Sequence, residues 1–216
     1  PYKGEFATYT AWLYREIKKH DNIHLHLNTE LTAHMVRSAK PDKVILATGA
    51  KPIIPQVPGI HNKNVVLAED VLLGKSDTGM NVLVAGGGMV GSETAAYLGM
   101  QCKSKVTVIE MRDEIALDME AGIRDDLKDC LRRCYVDILT GTSLAGVTEE
   151  GALVKQGHTV TLLPCDTIVL AIGTRAFCPL KDELEGICET VTVGDAGKAR
   201  QAIQASSEGF YAGYHG

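Results

Sequence analysis

Apolar residues recur along the chain at spacings that predict helices alternating with strands. A helix over residues 5–19 is predicted by side chains at helical spacing: Phe6, Tyr9, Trp12, Leu13 and Ile17. Residues 22–28 alternate between apolar and polar and predict a strand, whose outer face would carry His24 and His26. We interpret these histidines as a solvated strand face and not as a metal site. The continuous apolar run 43–49 is typical of a parallel strand that is covered on both faces.

A proline-rich segment, residues 51–59, is the clearest candidate boundary between domains, because proline fixes φ and lacks a backbone N–H. Beyond it, a buried strand is predicted at 81–85, and further strands are predicted at 105–110, 135–139 and 166–173. Helices are predicted at 92–100 and 121–133. Short β-like pieces predict an antiparallel meander, at 144–147, 152–155 and 159–163. A short strand at 191–195 and a helix at 200–211 complete an α/β pattern.

Charge and composition narrow the classes of partner. The chain has 22 Lys and Arg against 27 Asp and Glu, so its net charge is −5. This mild acidity disfavours a nucleic acid or an anionic membrane surface as partner, and no apolar run approaches the roughly 20 residues of a membrane span. The six cysteines include no Cys-x-x-Cys pair, so we expect reduced thiols, a cytoplasmic location and no metal site.

A glycine motif between a predicted strand and a predicted helix is the strongest chemical signal. Gly86, Gly88 and Gly91 have the G-x-G-x-x-G spacing of dinucleotide-binding loops. The first glycine permits a tight turn, the second lets a pyrophosphate approach the backbone, and the third lets helix and strand pack closely. The helix N-terminus then offers unpaired N–H groups to phosphates. The candidate cofactor-binding loop is therefore Gly86, Gly87, Gly88, Met89, Val90 and Gly91.

An acidic residue follows the motif at the end of the next predicted strand. Glu110 at this position could accept hydrogen bonds from both ribose hydroxyls of an adenosine, and it would repel a 2′-phosphate. We therefore predict NAD(H) over NADP(H), although Arg112 could partly offset the repulsion. The alternative is that Glu110 is a solvated strand end without a ligand.

Three further strand ends are candidate contacts to a cofactor. Thr48-Gly49 and Ala171-Ile172-Gly173 end apolar strands in a bare glycine, which lets the chain pass beside a bound molecule. Asp195 follows a short strand and could hold a sugar hydroxyl or a ribityl chain. Taken singly, each is equally consistent with a structural role.

Taken in order, these segments resemble the pyridine nucleotide-disulfide oxidoreductase superfamily. Within it, the chain is similar to the C-terminal region of enoate reductase and 2,4-dienoyl-CoA reductase, which are related to old yellow enzyme. The resemblance lies in residues 44–52, 86–91, 193–200 and 204–210. It implies a Rossmann-like three-layer domain with an antiparallel crossover, inserted in a second, FAD-binding Rossmann-like domain.

The resemblance also implies roles for single residues. It assigns the 86–91 loop to the nicotinamide dinucleotide, Glu110 to its adenosine ribose, and Gly173 to the nicotinamide half. It places Thr48-Gly49 at the crossover of the FAD domain and Asp195 on the FAD ribityl chain. No residue is expected to act as a catalytic acid or base, because hydride transfer between cofactors needs none.

Departures from the family pattern shape the predicted domains. No first glycine motif for FAD precedes Phe6, and the barrel that carries FMN and an iron–sulfur cluster in these reductases is not in the sequence. We therefore expect a fragment: a partial FAD-binding domain over 1–76, an NAD(H)-binding domain over 77–189, and a returning FAD-domain segment over 190–216. Weak or absent FAD binding and an inactive isolated chain would follow.

The expected function is that of the parent enzyme's NADH-binding portion. NADH would pass hydride to FAD, and a barrel domain of the same parent chain would reduce an activated C=C bond. Two alternatives remain open at this point: a nucleotide-binding module without turnover, and a portion of another flavoprotein such as an NADH oxidase or a ferredoxin reductase.

Overall fold

A computed structural model describes residues 3–215, so the outermost positions of the predicted flanking domain segments lie outside it. The chain forms two compact units. The inserted unit is Ala50–Arg175, and the flanking unit is formed by the chain before and after it. The inserted unit spans residues 50–175, whereas the sequence predicts a domain over 77–189; residues 50–76 contribute two strands and a helix to this unit.

Helices and strands alternate along most of the chain. The first elements are α1 (Gly4–Ile17), α2 (Ala33–Ala39) and β1 (Lys43–Leu46). The inserted unit supplies β2 (Ala50–Pro52), β3 (Val65–Leu67), α3 (Ala68–Leu72), β4 (Asn81–Ala85), α4 (Met89–Met100), β5 (Lys105–Ile109), α5 (Ala121–Arg133), β6 (Asp137–Leu139), β7 (Thr142–Thr148), β8 (Gly151–Gln156), β9 (Thr159–Pro164) and β10 (Thr167–Leu170). Then follow β11 (Thr174–Ala176), α6 (Leu180–Glu183), β12 (Glu189–Thr192), a single 3-10 turn (Gly194–Ala196) and α7 (Ala202–Tyr214).

The inserted unit has three layers around a parallel sheet. Its five strands lie in the order β3-β10-β4-β5-β6, all parallel. Val82 and Val84 of β4 pack with the helices α3, α4 and α5, whereas Leu83 and Ala85 pack towards the antiparallel sheet β7-β8-β9. Because successive side chains of a strand point to opposite faces, one central strand contributes to both cores. The predicted Rossmann-like three-layer fold with its antiparallel meander is confirmed.

Local capping sets the start of the two main helices. At α5, the Glu120 carboxylate accepts hydrogen bonds from the N–H groups of Gly122 and Ile123, at 3.1 and 3.3 Å. At α4 the N-cap position is Gly88, which has no side chain to offer. The helix therefore starts directly at the glycine loop and leaves its first N–H groups for acceptors from elsewhere in the chain.

The flanking unit has a smaller core. β1 and β12 pair in parallel, and a cluster of buried apolar side chains lies beside them: Ala33, Val36, Val44, Leu46 and Leu184. The helices α1 and α7 bury no side chain. No helix among residues 3–215 combines the length and the apolarity that crossing a membrane requires.

Two strand predictions in the flanking unit are wrong. Residues 22–28 form turns and irregular backbone, and Ile23, Leu25 and Leu27 are exposed. Alternation alone does not make a strand, and no described residues pair with this segment. β1 pairs in parallel as predicted, but the prediction that both of its faces are covered is wrong, since Ile45 is 40% exposed.

Candidate functional site

At two positions of the glycine loop between β4 and α4, a side chain would collide with backbone atoms. Gly86 has φ +105°, and a Cβ there would lie 2.5 Å from the carbonyl oxygen of Ala171. A Cβ on Gly91 would lie 1.8 Å from the carbonyl oxygen of Gly86. The loop thus needs glycine for the left-handed turn and for the contact between helix and strand, as the spacing of the motif predicts.

A cavity of about 480 Å³ opens beside this loop. Its volume is in the range of about 300–1,000 Å³ that small-molecule and cofactor sites occupy. It lies beyond the carboxyl ends of the parallel strands β4, β5 and β10, which is where open α/β sheets bind ligands. The predicted site residues that line it are Gly86, Gly88, Met89, Val90, Glu110, Arg112, Ala171 and Gly173.

Glu110 is a buried carboxylate that holds the loop and faces the cavity. Its side chain is 5% exposed, and Oε2 accepts a 2.7 Å hydrogen bond from the N–H of Gly87. Oε1 accepts from the backbone N–H of Arg112 at 2.9 Å and from its Nε at 3.3 Å. Burial raises the pKa of Glu110, but these donors and the guanidinium charge outweigh it and leave the pKa below its usual value. The group is therefore an anion with acceptor capacity at the cavity wall.

Gly87 and Gly91 do not line the cavity but shape the loop that does. The carbonyl oxygen of Gly87 accepts hydrogen bonds from the N–H of Ala116 at 2.7 Å and from Oγ of Ser92 at 3.0 Å. Ser92 is fully buried at the start of α4. The loop is thus held by its own helix and by the segment that joins β5 to α5.

Asp118 is a site residue that the sequence motifs do not include. Its two carboxylate oxygens lie 2.9 and 3.1 Å from the N–H of Met89, the first residue of α4. It also lines the cavity. Asp118 stands in an irregular segment and contacts the loop from a distant point in the sequence, so only its place just before α5 could have drawn attention to it.

Comparison with known proteins gives the family. The chain matches the family described as pyridine nucleotide-disulphide oxidoreductase over residues 7–198. It belongs to this family. Members are flavin- and pyridine-nucleotide-dependent oxidoreductases, so the coarse cofactor expectation, NAD(P)H with a flavin, agrees with the family.

The relatives of this chain have names that describe different reactions. The chain is 33% identical to an NADH oxidase of Thermoanaerobacter brockii, over 97% of this chain and 33% of that protein. It is 29% identical to a cinnamate reductase of Clostridium sporogenes, over 94% of this chain and 31% of that protein. A solved 2-naphthoyl-CoA reductase in complex with 2-naphthoyl-CoA has a TM-score of 0.79 and 29% identity, over 87% of this chain and 29% of that one. The chain spans about a third of the length of the curated relatives it matches.

The remaining predicted site residues, Thr48, Gly49 and Asp195, belong to the flanking unit. Thr48 donates its hydroxyl to the carbonyl oxygen of Phe177, and Gly49 has φ +76°. Asp195 Oδ1 accepts a 3.0 Å hydrogen bond from the N–H of Arg200. None of the three lines the cavity described above, so their assignments to FAD stay predictions. Residues 3–215 hold no group of three or more His, Cys, Asp or Glu side chains placed to bind a metal ion.

Proposed function

We propose that the inserted unit binds NADH across the 86–91 loop and presents its hydride to a flavin of the parent protein. The observation that carries this proposal is the glycine loop opening onto a cavity whose wall also holds the Glu110 carboxylate. A helix N-terminus for phosphates and an acid for a ribose are thereby on one surface, as dinucleotide sites require.

Each part of the cavity has a definite role in this proposal. The N–H groups at the start of α4 bind the pyrophosphate, and Glu110 accepts from the adenosine ribose. Gly173, with φ +102° and no Cβ to fill the space, borders the nicotinamide half. Hydride transfer is chemistry that the bound cofactors supply. This chain's residues bind and orient, and none acts as acid or base.

Glu110 is also the basis for preferring NADH to NADPH. Its carboxylate is a negative charge at the position where a 2′-phosphate would enter. Arg112 is paired with that carboxylate through Nε at 3.3 Å. Its charge is therefore partly engaged within the protein, which supports the preference for a dinucleotide without the extra phosphate.

For the electron acceptor we propose an activated C=C bond. The support is that relatives named cinnamate reductase and 2-naphthoyl-CoA reductase match nearly the whole chain. FAD in the flanking unit, and FMN with an iron–sulfur cluster in a barrel domain, belong to this proposal for the parent protein. The similar match to an NADH oxidase favours oxygen reduction as a second candidate. The sequence of the parent gene outside this chain separates them, since a barrel with a cysteine cluster supports the reductase.

Calorimetric titration of the chain with NADH and NADPH tests the binding proposal. We expect NADH to bind at least about tenfold more tightly, because one buried charge opposes the 2′-phosphate. Glu110→Ala should weaken NADH and narrow the gap, whereas Asp113→Asn, an exposed acid outside the cavity, should leave both affinities unchanged. Equal affinity for the two nucleotides, or no binding of either, would contradict the proposal. Thermal denaturation of each variant shows whether Glu110→Ala also loosens the loop.

A further inference from the structure

The N-terminus of α4 already carries an anion from the protein itself. Both carboxylate oxygens of Asp118 accept from the N–H of Met89, at 2.9 and 3.1 Å. Helices are usually capped by the residue just before them, but here that residue is Gly88. Asp118 therefore supplies, from the segment between β5 and α5, the acceptor that the helix lacks. A negative charge at this end of a helix is electrostatically favoured.

The backbone that carries Asp118 is fixed, while its side chain is exposed. The N–H of Ala116 donates to the carbonyl oxygen of Gly87 at 2.7 Å, and Ile115 and Ala116 are buried. Ala116 adopts φ +53°, a conformation uncommon for residues other than glycine, and so the turn is closely determined by its surroundings. The Asp118 side chain itself borders solvent, which offers the carboxylate an alternative environment when it leaves the N–H of Met89.

The N–H group that Asp118 occupies is one that a bound pyrophosphate would use. Phosphates at such loops accept from the first N–H groups of the helix. Glu110 and Arg112 offset each other as an ion pair, whereas Asp118 adds a further negative charge to the same wall. Two anions at one N–H repel each other and cannot both accept its hydrogen.

We propose that Asp118 sets the affinity of the site by competing with the pyrophosphate of NADH for the N-terminus of α4. The ligand binds only after the Asp118 side chain has left the N–H of Met89, so part of the binding free energy is used to displace it. This inference rests on the proposed binding of NADH. It assigns to Asp118 a role in selecting ligands by their phosphates, and no role in hydride transfer.

Asp118→Asn tests this directly, since asparagine keeps an oxygen that can cap Met89 but carries no charge. We expect the Kd for NADH to fall by about tenfold, the order expected for removing one charge near a phosphate at a partly solvated site. The affinity for adenosine, which lacks phosphates, should not change. Asp113→Asn is the matched control, because it removes an equal charge from an exposed position of the same segment that does not line the cavity.

Asp118→Ala provides a second arm. If the carboxylate competes, the alanine variant also binds NADH more tightly than the wild type. If Asp118 instead supports the bound state, alanine weakens binding, and the inference is overturned. An unchanged Kd in Asp118→Asn, or an equal gain for adenosine, overturns it as well. Failure of all variants and the wild type to bind NADH refutes the proposed function itself, and NADH binding by the wild type without a gain in Asp118→Asn refutes only this inference.

Discussion

Replacing Gly91 by alanine is expected to destabilise the inserted unit although alanine is the better helix former. The new Cβ would lie 1.8 Å from the carbonyl oxygen of Gly86, against about 3.4 Å for ordinary contact, so α4 must move away by about 1.6 Å. Overpacking a tight core by a methyl group costs about 1–3 kcal/mol. The contact is with backbone and cannot rotate away, so we take the upper value of about 3 kcal/mol. The gain in helix propensity of about 1 kcal/mol leaves a net loss of about 2 kcal/mol.

The loss of stability in Gly91→Ala should lower the unfolding midpoint and also increase hydrogen exchange near the loop. About 2 kcal/mol lowers the unfolding midpoint of a domain of this size by roughly 5–10 °C. Far-UV circular dichroism measures the midpoint, and amide hydrogen exchange over residues 81–100 reports whether β4 and α4 separate. Gly209→Ala is the matched control, because Gly209 lies inside the helix α7 and a Cβ there meets nothing within 4 Å. That variant should be unchanged, or more stable by up to about 1 kcal/mol.

Comparing the stabilities of Gly91→Ala and Gly209→Ala tests whether the tight contact at Gly91 exists in solution. If Gly91→Ala is as stable as Gly209→Ala, the close approach of α4 to the loop does not exist in solution. The prediction that Gly91 is needed for close packing of α4 against the loop would then be wrong. If Gly91→Ala is destabilised but binds NADH as tightly as the wild type, the loop geometry does not matter for the ligand, and the proposed site is refuted.

Two further predictions concern titratable groups. The pKa of Glu110 is lowered in the folded state, so its carboxylate stabilises the fold above its ordinary pKa of 4.5, and this contribution is lost as the pH falls through the lowered pKa. Urea denaturation should therefore find Glu110→Gln less stable than the wild type at pH 7, with the difference shrinking below pH 4.5; a constant difference would contradict the role of the charge. Burial raises the pKa of the Cys165 thiol, whereas Cys102 is exposed. Iodoacetamide at pH near 7.5 should modify Cys102 and spare Cys165 until denaturant is added, as mass spectrometry of the peptides would show.

Much of the inserted unit could be predicted from sequence because local signals there agree. Helix α5 has the predicted bounds 121–133, since a capping acid precedes it and its apolar residues keep helical spacing. The last predicted strand residues before Gly173 are not in β10, because the glycine turns the chain with φ +102°. Helix α4 begins at Met89 and not at Ser92, because the extended Gly88 ends the loop earlier.

What the sequence could not provide depends on contacts between distant segments. The alternation over 22–28 resembles a strand, but whether a strand forms depends on a partner that the segment itself does not encode. The contact between Asp118 and Met89 is set by the turn at Ala116, whose left-handed conformation has no marker in the residue type. The sequence predicts Glu110 as an acid that faces a ligand, whereas its hydrogen bond to the N–H of Gly87 depends on the folded loop.

The insertion of one unit in the other has a consequence for the order of folding. β1 and β12, which pair in the flanking unit, are separated in sequence by all of Ala50–Arg175, and the strands at the two ends of that insertion, β2 and β11, pair with each other. Once the insertion has folded, the long loop between β1 and β12 is replaced by a short effective one, which lowers the entropic cost of closure by about 2 kcal/mol. We therefore expect the inserted unit to fold first, because its folding brings β1 and β12 close together along the chain.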